Sequence, residues 1–299
     1  MQNSAMDGFE NFRKKPSLRE ACRLALLALS QDAKRDITSR CIPKGLKCKG
    51  RIIAKSDFVL CGVVEAGAIF SKMEIKVRWH LKEGQEVRAG QAVCSLEGNA
   101  RKILACERTA LNYLCSLSGI ATLCRKACQK YGKLRIAATR KTLPLLSHSQ
   151  KRAVEAGGCL THRLSLSDGY LLKDNHIAAI MAEKKVDSAQ AIKIALERLP
   201  KSAFVEVEVS GIKEAISAAE CKADALLVDN ASVLQFRKIA VQARKVNPKI
   251  IIEASGGITL KNAGKYLEAG ADFASTSQIT MKAPPADMSL ELDAGYRAQ

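Results

Sequence analysis

The chain has 299 residues, of which 47% are hydrophobic and 4% aromatic, and it carries a formal net charge of +18. This length and apolar content exclude a disordered protein and predict one large domain, or a large domain with a smaller companion. Its apolar stretches are shorter than the roughly 20 residues of a membrane-spanning helix, and the N-terminus carries charges where a signal peptide is apolar. We therefore expect a cytoplasmic protein with no membrane partner.

The excess of positive charge indicates an anionic ligand without selecting one. Nucleic-acid-binding surfaces combine a basic stripe with aromatic side chains. Here aromatic residues are scarce and lysines are spread along the whole chain, so we expect no nucleic-acid partner.

The eleven cysteines include no Cys-x-x-Cys pair, and their number is odd. This pattern favours reduced cysteines in a reducing compartment over a zinc site or a disulfide framework.

The first part of the chain changes from a helical to a strand-like pattern. Apolar spacing predicts a helix from Ser17 to Gln31. From Gly50 to Leu104, short apolar runs separated by turns predict a small, mostly β module. Residues Glu107 to Tyr131 then predict one long helix, which Gly132 follows.

The remainder alternates strand-like runs with amphipathic helices. Strands are predicted at Leu134–Ala138, Tyr170–Lys173, Phe204–Glu208, Ala225–Val228, Ile250–Glu253 and Asp272–Ser275. Helices are predicted at Ser188–Leu199, Ile212–Glu220, Ala231–Val246 and Lys261–Ala269. This alternation, with strands rich in Val, Ile and Leu, predicts a parallel sheet and favours an incomplete α/β barrel over an open sheet.

Basic residues occur in the groups Thr139-Arg140-Lys141, His162-Arg163 and Lys173. The first and last groups follow the apolar runs 134–138 and 170–172, and strand ends are where barrel enzymes place their chemistry. A guanidinium fits a planar carboxylate and an ammonium fits a phosphate, so this group indicates a ligand with several negative charges. From spacing alone, a solvated basic face explains the residues equally well.

Carboxylates and glycines follow the later strands. Glu208 and Asp229 would suit a magnesium-bound diphosphate or the hydroxyls of a sugar. Ser255-Gly256-Gly257 can aim backbone N–H groups at a phosphate, although glycine can also serve turn geometry alone.

A longer series of motifs runs in order along nearly the whole chain. It includes Asp36-Ile37-Thr38-Ser39, Glu107-Arg108-Thr109-Ala110-Leu111-Asn112, Thr139-Arg140-Lys141-Thr142, His162-Arg163, Lys173-Asp174-Asn175-His176, Glu206-Val207-Glu208, Val228-Asp229-Asn230 and Glu253-Ala254-Ser255-Gly256-Gly257-Ile258. In these motifs the chain resembles the quinolinate phosphoribosyltransferase family, also called nicotinate-nucleotide pyrophosphorylase (carboxylating).

The resemblance implies an α/β protein, with a C-terminal open (incomplete) α/β barrel and a smaller N-terminal α+β sandwich-like domain. The implied domains are residues 1–123, which include the start of the long linking helix, and the catalytic barrel at 124–284. Residues 285–299 would form a C-terminal segment that packs back toward the N-terminal domain. A homodimer or higher even oligomer with shared active sites is also implied.

The implied activity converts quinolinate and phosphoribosyl pyrophosphate to nicotinate mononucleotide, pyrophosphate and CO2 in de novo NAD biosynthesis. The enzyme would be a pentosyltransferase that uses Mg2+. The implied catalytic residues are Lys141, Lys173, Glu208 and Asp229, of which Glu208 and Asp229 would reach the metal indirectly through magnesium diphosphate. The implied substrate-binding residues are Arg108, Thr139, Arg140, Lys141, His162, Arg163, Lys173, Glu208, Asp229, Ser255, Gly256, Gly257 and Ser277.

The chain departs from the family pattern at several of these motifs. Ala138 stands where an aspartate usually precedes Thr-Arg-Lys, and Cys159 stands where a third glycine is customary. Ser277 and Met281 replace a glycine and a histidine of the final phosphate loop. We therefore expect weakened phosphate binding with activity retained.

Two alternatives remain open from the sequence. The first is a phosphoribosyltransferase paralogue of the ModD kind with another anionic substrate, although that family typically lacks the run Lys173 to His176. The second is a non-catalytic paralogue that binds an anionic metabolite, which would not need the complete set of charged residues.

Overall fold

The computed structural model describes residues 14–200 and 202–293. Its helices are α1 (Leu18–Asp32), α2 (Val63–Lys72), α3 (Ala100–Tyr131), α4 (Ser147–Gly157), α5 (Asp174–Lys184), α6 (Ser188–Glu197), α7 (Ile212–Glu220), α8 (Val233–Val246), α9 (Ala263–Glu268) and α10 (Gln278–Met281). Its strands are β1 (Lys47–Ala54), β2 (Phe58–Val59), β3 (Lys76–Trp79), β4 (Glu86–Val87), β5 (Ala92–Asn99), β6 (Ile136–Ala138), β7 (Tyr170–Leu172), β8 (Val205–Val209), β9 (Ala225–Asp229), β10 (Ile251–Ser255), β11 (Phe273–Thr276) and β12 (Met288–Leu292).

The described residues form two compact units, each built from separate stretches of chain. The barrel unit contains residues 14–15, 130–140 and 160–278, and the companion unit contains residues 16–129, 141–159 and 279–293. The predicted domain boundaries after residues 123 and 284 stay predictions, and the ends of the predicted outer segments, 1–13 and 294–299, lie outside the described residues.

The companion unit is organised around a four-stranded antiparallel sheet. Its strand order is β12-β1-β5-β3, and β2 and β4 form a separate two-stranded pair. The buried side chains of Phe70, Leu96, Ile103 and Leu114 belong to one apolar core, so the sheet, α2 and α3 contribute to the same core. The long helix predicted from Glu107 begins earlier, at Ala100.

Helix α2 corrects the strand-like interpretation of residues 50–104. The carboxylate of Glu83 accepts hydrogen bonds from the backbone amides of Gly62 and Val63, each at 3.0 Å, at the start of this helix. A carboxylate stabilises a helix N-terminus because the first amides have no partner within the helix. Ala66, Ile69 and Phe70 then form its buried face.

The barrel unit contains six parallel strands in the order β6-β11-β10-β9-β8-β7. Strands β6 and β7 are consecutive along the chain, but they lie at opposite edges of the sheet. Leu160 makes a parallel bridge to Ala137 on the remaining side of β6. The predicted open α/β barrel is therefore confirmed, and all six predicted strands lie within it.

Four helices predicted after residue 188 are present as α6 to α9. Asp187 caps the start of α6 by accepting from the amide of Gln190, and Ser232 caps α8 by accepting from the amide of Gln235. Helices α4 and α5 were not predicted. None of the helices in the described residues is both long and apolar enough to cross a membrane.

A buried ion-pair network lies in the companion unit. The guanidinium of Arg152 on α4 forms two hydrogen bonds to the carboxylate of Glu65, at 2.9 and 3.0 Å, and a third to Glu83. The side chain of Glu65 is fully buried, and that of Arg152 is 8% exposed. The guanidinium of Arg152 and the carboxylate of Glu65 therefore neutralise one another in a place that water does not reach.

Replacing Arg152 with methionine should lower the free energy of unfolding by about 3–5 kcal/mol, because it leaves the buried Glu65 charge unpaired. Urea unfolding followed by circular dichroism would measure the change. The matched control is Arg23→Met, which removes an exposed pair with Glu20 and should change the unfolding midpoint little. Equal effects of the two substitutions would contradict the assigned role of the network.

Candidate functional site

Parallel strands bring their carboxyl ends to one edge of a sheet, and the barrel unit gathers polar side chains at that edge. Most of the predicted site residues lie there. These residues are Thr139, Arg140, His162, Arg163, Lys173, Glu208, Asp229, Ser255, Gly256, Gly257 and Ser277. Arg108, which is exposed on α3, and Lys141, whose carbonyl accepts from the Thr280 hydroxyl, belong to the companion unit.

Inside the barrel, His162 meets two buried carboxylates. Its Nε2 atom lies 2.8 Å from Glu253 Oε2 and 3.4 Å from Glu206 Oε2. Glu206 lies on β8 and Glu253 on β10, with β9 between them, so the three side chains meet on the inner face of the sheet. The ligand atoms of these residues lie within 4.8 Å of one another, a spacing that also suits a metal ion.

Both ring nitrogens of His162 take part in hydrogen bonds. The backbone amide of Arg163 donates to Nδ1 at 2.7 Å, so Nδ1 is an acceptor and the ring proton is on Nε2, facing Glu253. A 2.8 Å separation between Nε2 and the carboxylate is that of a hydrogen bond. We therefore assign a proton, not a metal ion, to this contact.

The electrostatics of His162, Glu206 and Glu253 favour one additional proton on this group at neutral pH. Burial lowers the pKa of His162, but the carboxylates outweigh it and raise this pKa to about 9. Burial and the neighbouring Glu253 raise the pKa of Glu206 to about 7. Because the Arg163 amide occupies Nδ1, we place the additional proton on Glu206, where a carboxylic acid can donate to Glu253. This also gives a role to Glu206, whose carboxylate oxygens otherwise have no hydrogen-bond partner among the described residues.

The guanidinium of Arg163 is a buried cation with an unused donor. The residue is 5% exposed, and its Nε atom has no hydrogen-bond partner among the described residues. Burial and the nearby charge of Arg140 lower its pKa, while Glu206, Glu253 and Asp168 oppose them. Two neighbouring cations, one with a buried free donor, form a site for an anion.

The loop after Arg163 is held by Asp168. Its carboxylate accepts from the amides of Leu164 and Ser165, at 2.8 and 3.1 Å, and from the Ser165 hydroxyl at 3.0 Å. Burial raises the pKa of Asp168, but these hydrogen bonds dominate and lower it. The carboxylate thus fixes the backbone on the C-terminal side of Arg163.

Lys173, Glu208 and Asp229 form a more exposed charged group. Lys173 Nζ lies 3.9 Å from Glu208 Oε2, with the two side chains 50% and 14% exposed. Burial raises the pKa of Glu208, Lys173 opposes this, and Asp229 raises it further. Glu208 and Asp229 are on neighbouring strands, and their oxygen atoms are of the kind that Mg2+ prefers.

The Ser255-Gly256-Gly257 turn has a conformation that only glycine accommodates readily. Gly256 and Gly257 have φ values of +78° and +62°. A Cβ atom on Gly256 would overlap the amide nitrogen and side chain of Asn230. Ser275 Oγ donates to Ser255 Oγ at 3.2 Å, which braces the turn from β11. At Gly256 the turn packs against Asn230, whereas nothing lies within 4 Å of the Cβ position of Gly257, so the turn is open to a ligand at Gly257.

The sequence interpretation did not assign roles to Glu206, Glu253 or Asp168. Glu206 and Glu253 each precede a predicted site residue, Glu208 or Ser255, by two positions on the same strand. Because side chains two positions apart lie on the same face, this spacing was a usable signal. Asp168 gave no comparable signal, since its partners are backbone amides in a loop.

The two family models of quinolinate phosphoribosyl transferase match nearly the whole of this architecture. The N-terminal domain model matches residues 36–118, and the C-terminal domain model matches residues 120–291. The chain belongs to the quinolinate phosphoribosyl transferase family.

Similar family members come from distant organisms. A probable nicotinate-nucleotide pyrophosphorylase (carboxylating) of Methanocaldococcus jannaschii is 40% identical over 263 residues, which cover 85% of this chain and 90% of that protein. The human nicotinate-nucleotide pyrophosphorylase (carboxylating) is 35% identical, with 80% of each chain covered. The solved structure of the Francisella tularensis nicotinate-nucleotide pyrophosphorylase has a TM-score of 0.83 at 31% identity, covering 94% of this chain and all of that one.

In this member of the quinolinate phosphoribosyl transferase family, Asp168→Ala should release the loop after Arg163. We expect hydrogen exchange of the Leu164 and Ser165 amides to accelerate about tenfold, the effect of losing a hydrogen bond worth about 1.4 kcal/mol. Exchange measured by NMR would report on both amides. The amide of Val207 in β8 is the internal control, and its exchange rate should not change. Unaltered exchange rates at Leu164 and Ser165 would refute the role of Asp168 in holding this loop.

Proposed function

We propose that the chain is a quinolinate phosphoribosyltransferase. It transfers the phosphoribosyl group of phosphoribosyl pyrophosphate to quinolinate and releases pyrophosphate and CO2, giving nicotinate mononucleotide for de novo NAD biosynthesis. The observation that carries the proposal is the buried guanidinium of Arg163, with its unpartnered Nε atom, close to the second cation Arg140. Such a pair suits a small, planar acid with adjacent carboxylates.

The remaining groups suit the phosphoribosyl substrate. The Ser255-Gly256-Gly257 turn, which is open at Gly257, would receive the 5′-phosphate on backbone N–H groups. Lys173 lies beside Glu208 and is half exposed, so it can follow the negative charge that collects on the departing pyrophosphate. We propose that Lys141, which belongs to the companion unit, also stabilises the negative charge on the departing pyrophosphate.

Glu208 and Asp229 stabilise the positive charge that develops on the ribose during the reaction. The pyridine nitrogen bonds to ribosyl C1 while the bond from C1 to the pyrophosphate oxygen breaks, and the ribose gains oxocarbenium character. The two carboxylates stabilise this positive charge, and alignment of the reactants on the rigid strand ends lowers the entropic part of the barrier. We propose that Glu208 and Asp229 also hold Mg2+ indirectly, through its diphosphate; when bound, the ion neutralises charge on the leaving group.

Loss of CO2 follows from the new charge on the pyridine ring. Once its nitrogen is quaternary, the bond between C2 and its carboxylate breaks, and the electron pair stays on C2 next to the positive nitrogen. A proton then adds to C2. The arginines hold the carboxylate that remains on nicotinate mononucleotide.

We further propose a homodimer or higher even oligomer in the cytoplasm, in which the partner's Arg108 completes the quinolinate site. Support comes from the exposure of Arg108 on α3 and from the resemblance of its motif. Quinolinate and phosphoribosyl pyrophosphate are then the small-molecule partners.

The direct test is formation of nicotinate mononucleotide and CO2 from quinolinate, phosphoribosyl pyrophosphate and Mg2+. Arg163→Ala should lower kcat/KM for quinolinate about 100-fold or more, because it removes the buried partner of a carboxylate. The exposed Arg237 on α8 supplies the control substitution, Arg237→Ala, which should leave the rate unchanged. Nicotinate, which lacks the second carboxylate, should be a poor substrate. Turnover of another anionic acid but not of quinolinate would instead identify a paralogous enzyme. Binding of quinolinate without turnover would identify a non-catalytic protein that binds an anionic metabolite.

The glycine turn gives a separate prediction for the second substrate. Gly256→Ala should raise KM for phosphoribosyl pyrophosphate about tenfold or more, because its Cβ atom displaces the backbone near Asn230. Ser277→Gly should lower the same KM if the serine weakens phosphate binding. Steady-state kinetics with saturating quinolinate measures both, and an unchanged KM in Ser277→Gly would contradict the expected cost of Ser277.

A further inference from the structure

The contacts of His162 leave its ring nitrogens committed to the protein. Nε2 donates to Glu253 at 2.8 Å, and Nδ1 accepts from the amide of Arg163 at 2.7 Å. The residue is 6% exposed, and its ring meets Phe273 edge to face, with centroids 6.2 Å apart. A ring held in this way has no nitrogen directed to a substrate carboxylate in this conformation.

We propose that His162 is a positioning residue that acts through Arg163, and that Glu253 fixes the imidazole for this purpose. This inference rests on the proposed function, because it concerns the binding of quinolinate. It assigns the carboxylate contact to Arg163 and Arg140, and it makes His162 part of the frame that directs Arg163.

The backbone geometry supports the need for such a frame. His162 has a φ of +49°, a left-handed conformation that is unfavourable for a residue with a side chain. The hydrogen bond from the Arg163 amide to Nδ1 fixes the peptide plane between the two residues. Asp168 fixes the amides of the next two residues, so the backbone is restrained on both sides of Arg163.

The Arg163 side chain cannot supply this restraint through its own Nε atom. That atom is buried and has no hydrogen-bond partner among the described residues. The direction of the guanidinium is therefore set largely by the backbone from which it extends. A small rotation at residue 162 would turn the guanidinium away from the anion, since errors in position reduce binding and rate steeply.

A double-mutant cycle tests this mechanism. The variants are His162→Ala, Arg163→Ala and the double substitution, and calorimetry gives the quinolinate Kd of each. His162→Ala should weaken binding about tenfold in the wild-type background but less than about twofold in the Arg163→Ala background, because residues that act as a unit are not additive. A tenfold loss in both backgrounds would show a direct contact with His162 and overturn the proposal. If Arg163→Ala binds too weakly, Arg163→Lys takes its place in the cycle.

Two substitutions of Glu253 separate hydrogen bonding from charge. Glu253→Gln keeps an oxygen acceptor for Nε2, so it should restore most of the kcat/KM that Glu253→Leu loses. We expect losses of about fivefold for glutamine and about 50-fold for leucine, with the larger part in KM. Equal losses, with native circular dichroism for both, would mean that the ring is a charged ligand and not a hydrogen-bonded support.

The wild-type assay separates this inference from the function on which it rests. No nicotinate mononucleotide from the wild-type protein would refute the proposed function. Normal wild-type turnover with additive effects at His162 and Arg163 would refute the positioning role alone.

Discussion

Charge balance inside the barrel is the constraint on which the rest of that unit depends. Two carboxylic groups and a guanidinium lie where water does not compensate them, and an unpaired buried charge is costly. Retention of a proton and the hydrogen bond from His162 to Glu253 limit the negative charge. The Glu253 carboxylate then offsets the charge of Arg163, and the neighbouring Arg140 is the additional cation that an anionic substrate can neutralise.

The site has a buried part and a more exposed part. His162, Arg163 and Asp168 are buried, and hydrogen bonds from His162 and Asp168 fix the backbone around Arg163, as suits recognition of a planar acid whose shape does not change. Lys173 is half exposed and 3.9 Å from Glu208, as suits a leaving group whose charge moves during the reaction. Preorganisation is thus greatest where recognition requires it.

Much of the fold could be predicted from the sequence because the barrel strands are apolar and regularly spaced. Each of the six predicted strands lies within two residues of its observed bounds. Helix α4 was missed because its buried face includes Ser149, Gln150, Lys151 and Arg152, so it lacks apolar periodicity. Helix α5 was missed for another reason, since Ile177 is its one buried residue.

The sequence indicated the exposed charged residues at the strand ends, but it did not indicate the buried groups that support them. Arg140, Lys173 and Asp229 are recognisable because each follows a strand. The spacing of Glu206 and Glu253 along their strands indicates which face they share with Glu208 and Ser255. Their contact with His162 joins separate parts of the chain, so no local pattern contains it. Likewise, the sequence suggested His162 as a substrate ligand, whereas only coordinates show that both of its nitrogens are occupied.

The place of β12 has a consequence for how the polypeptide acquires its structure during synthesis. This strand, Met288–Leu292, forms the edge of the companion sheet beside β1, Lys47–Ala54, from near the other end of the chain. A ribosome makes β12 only after all the residues between the two strands, so β1 must wait for its second neighbour until they have been synthesised. Until then its edge is open to pairing with other nascent chains, which makes the part of the message that encodes β12 a determinant of yield.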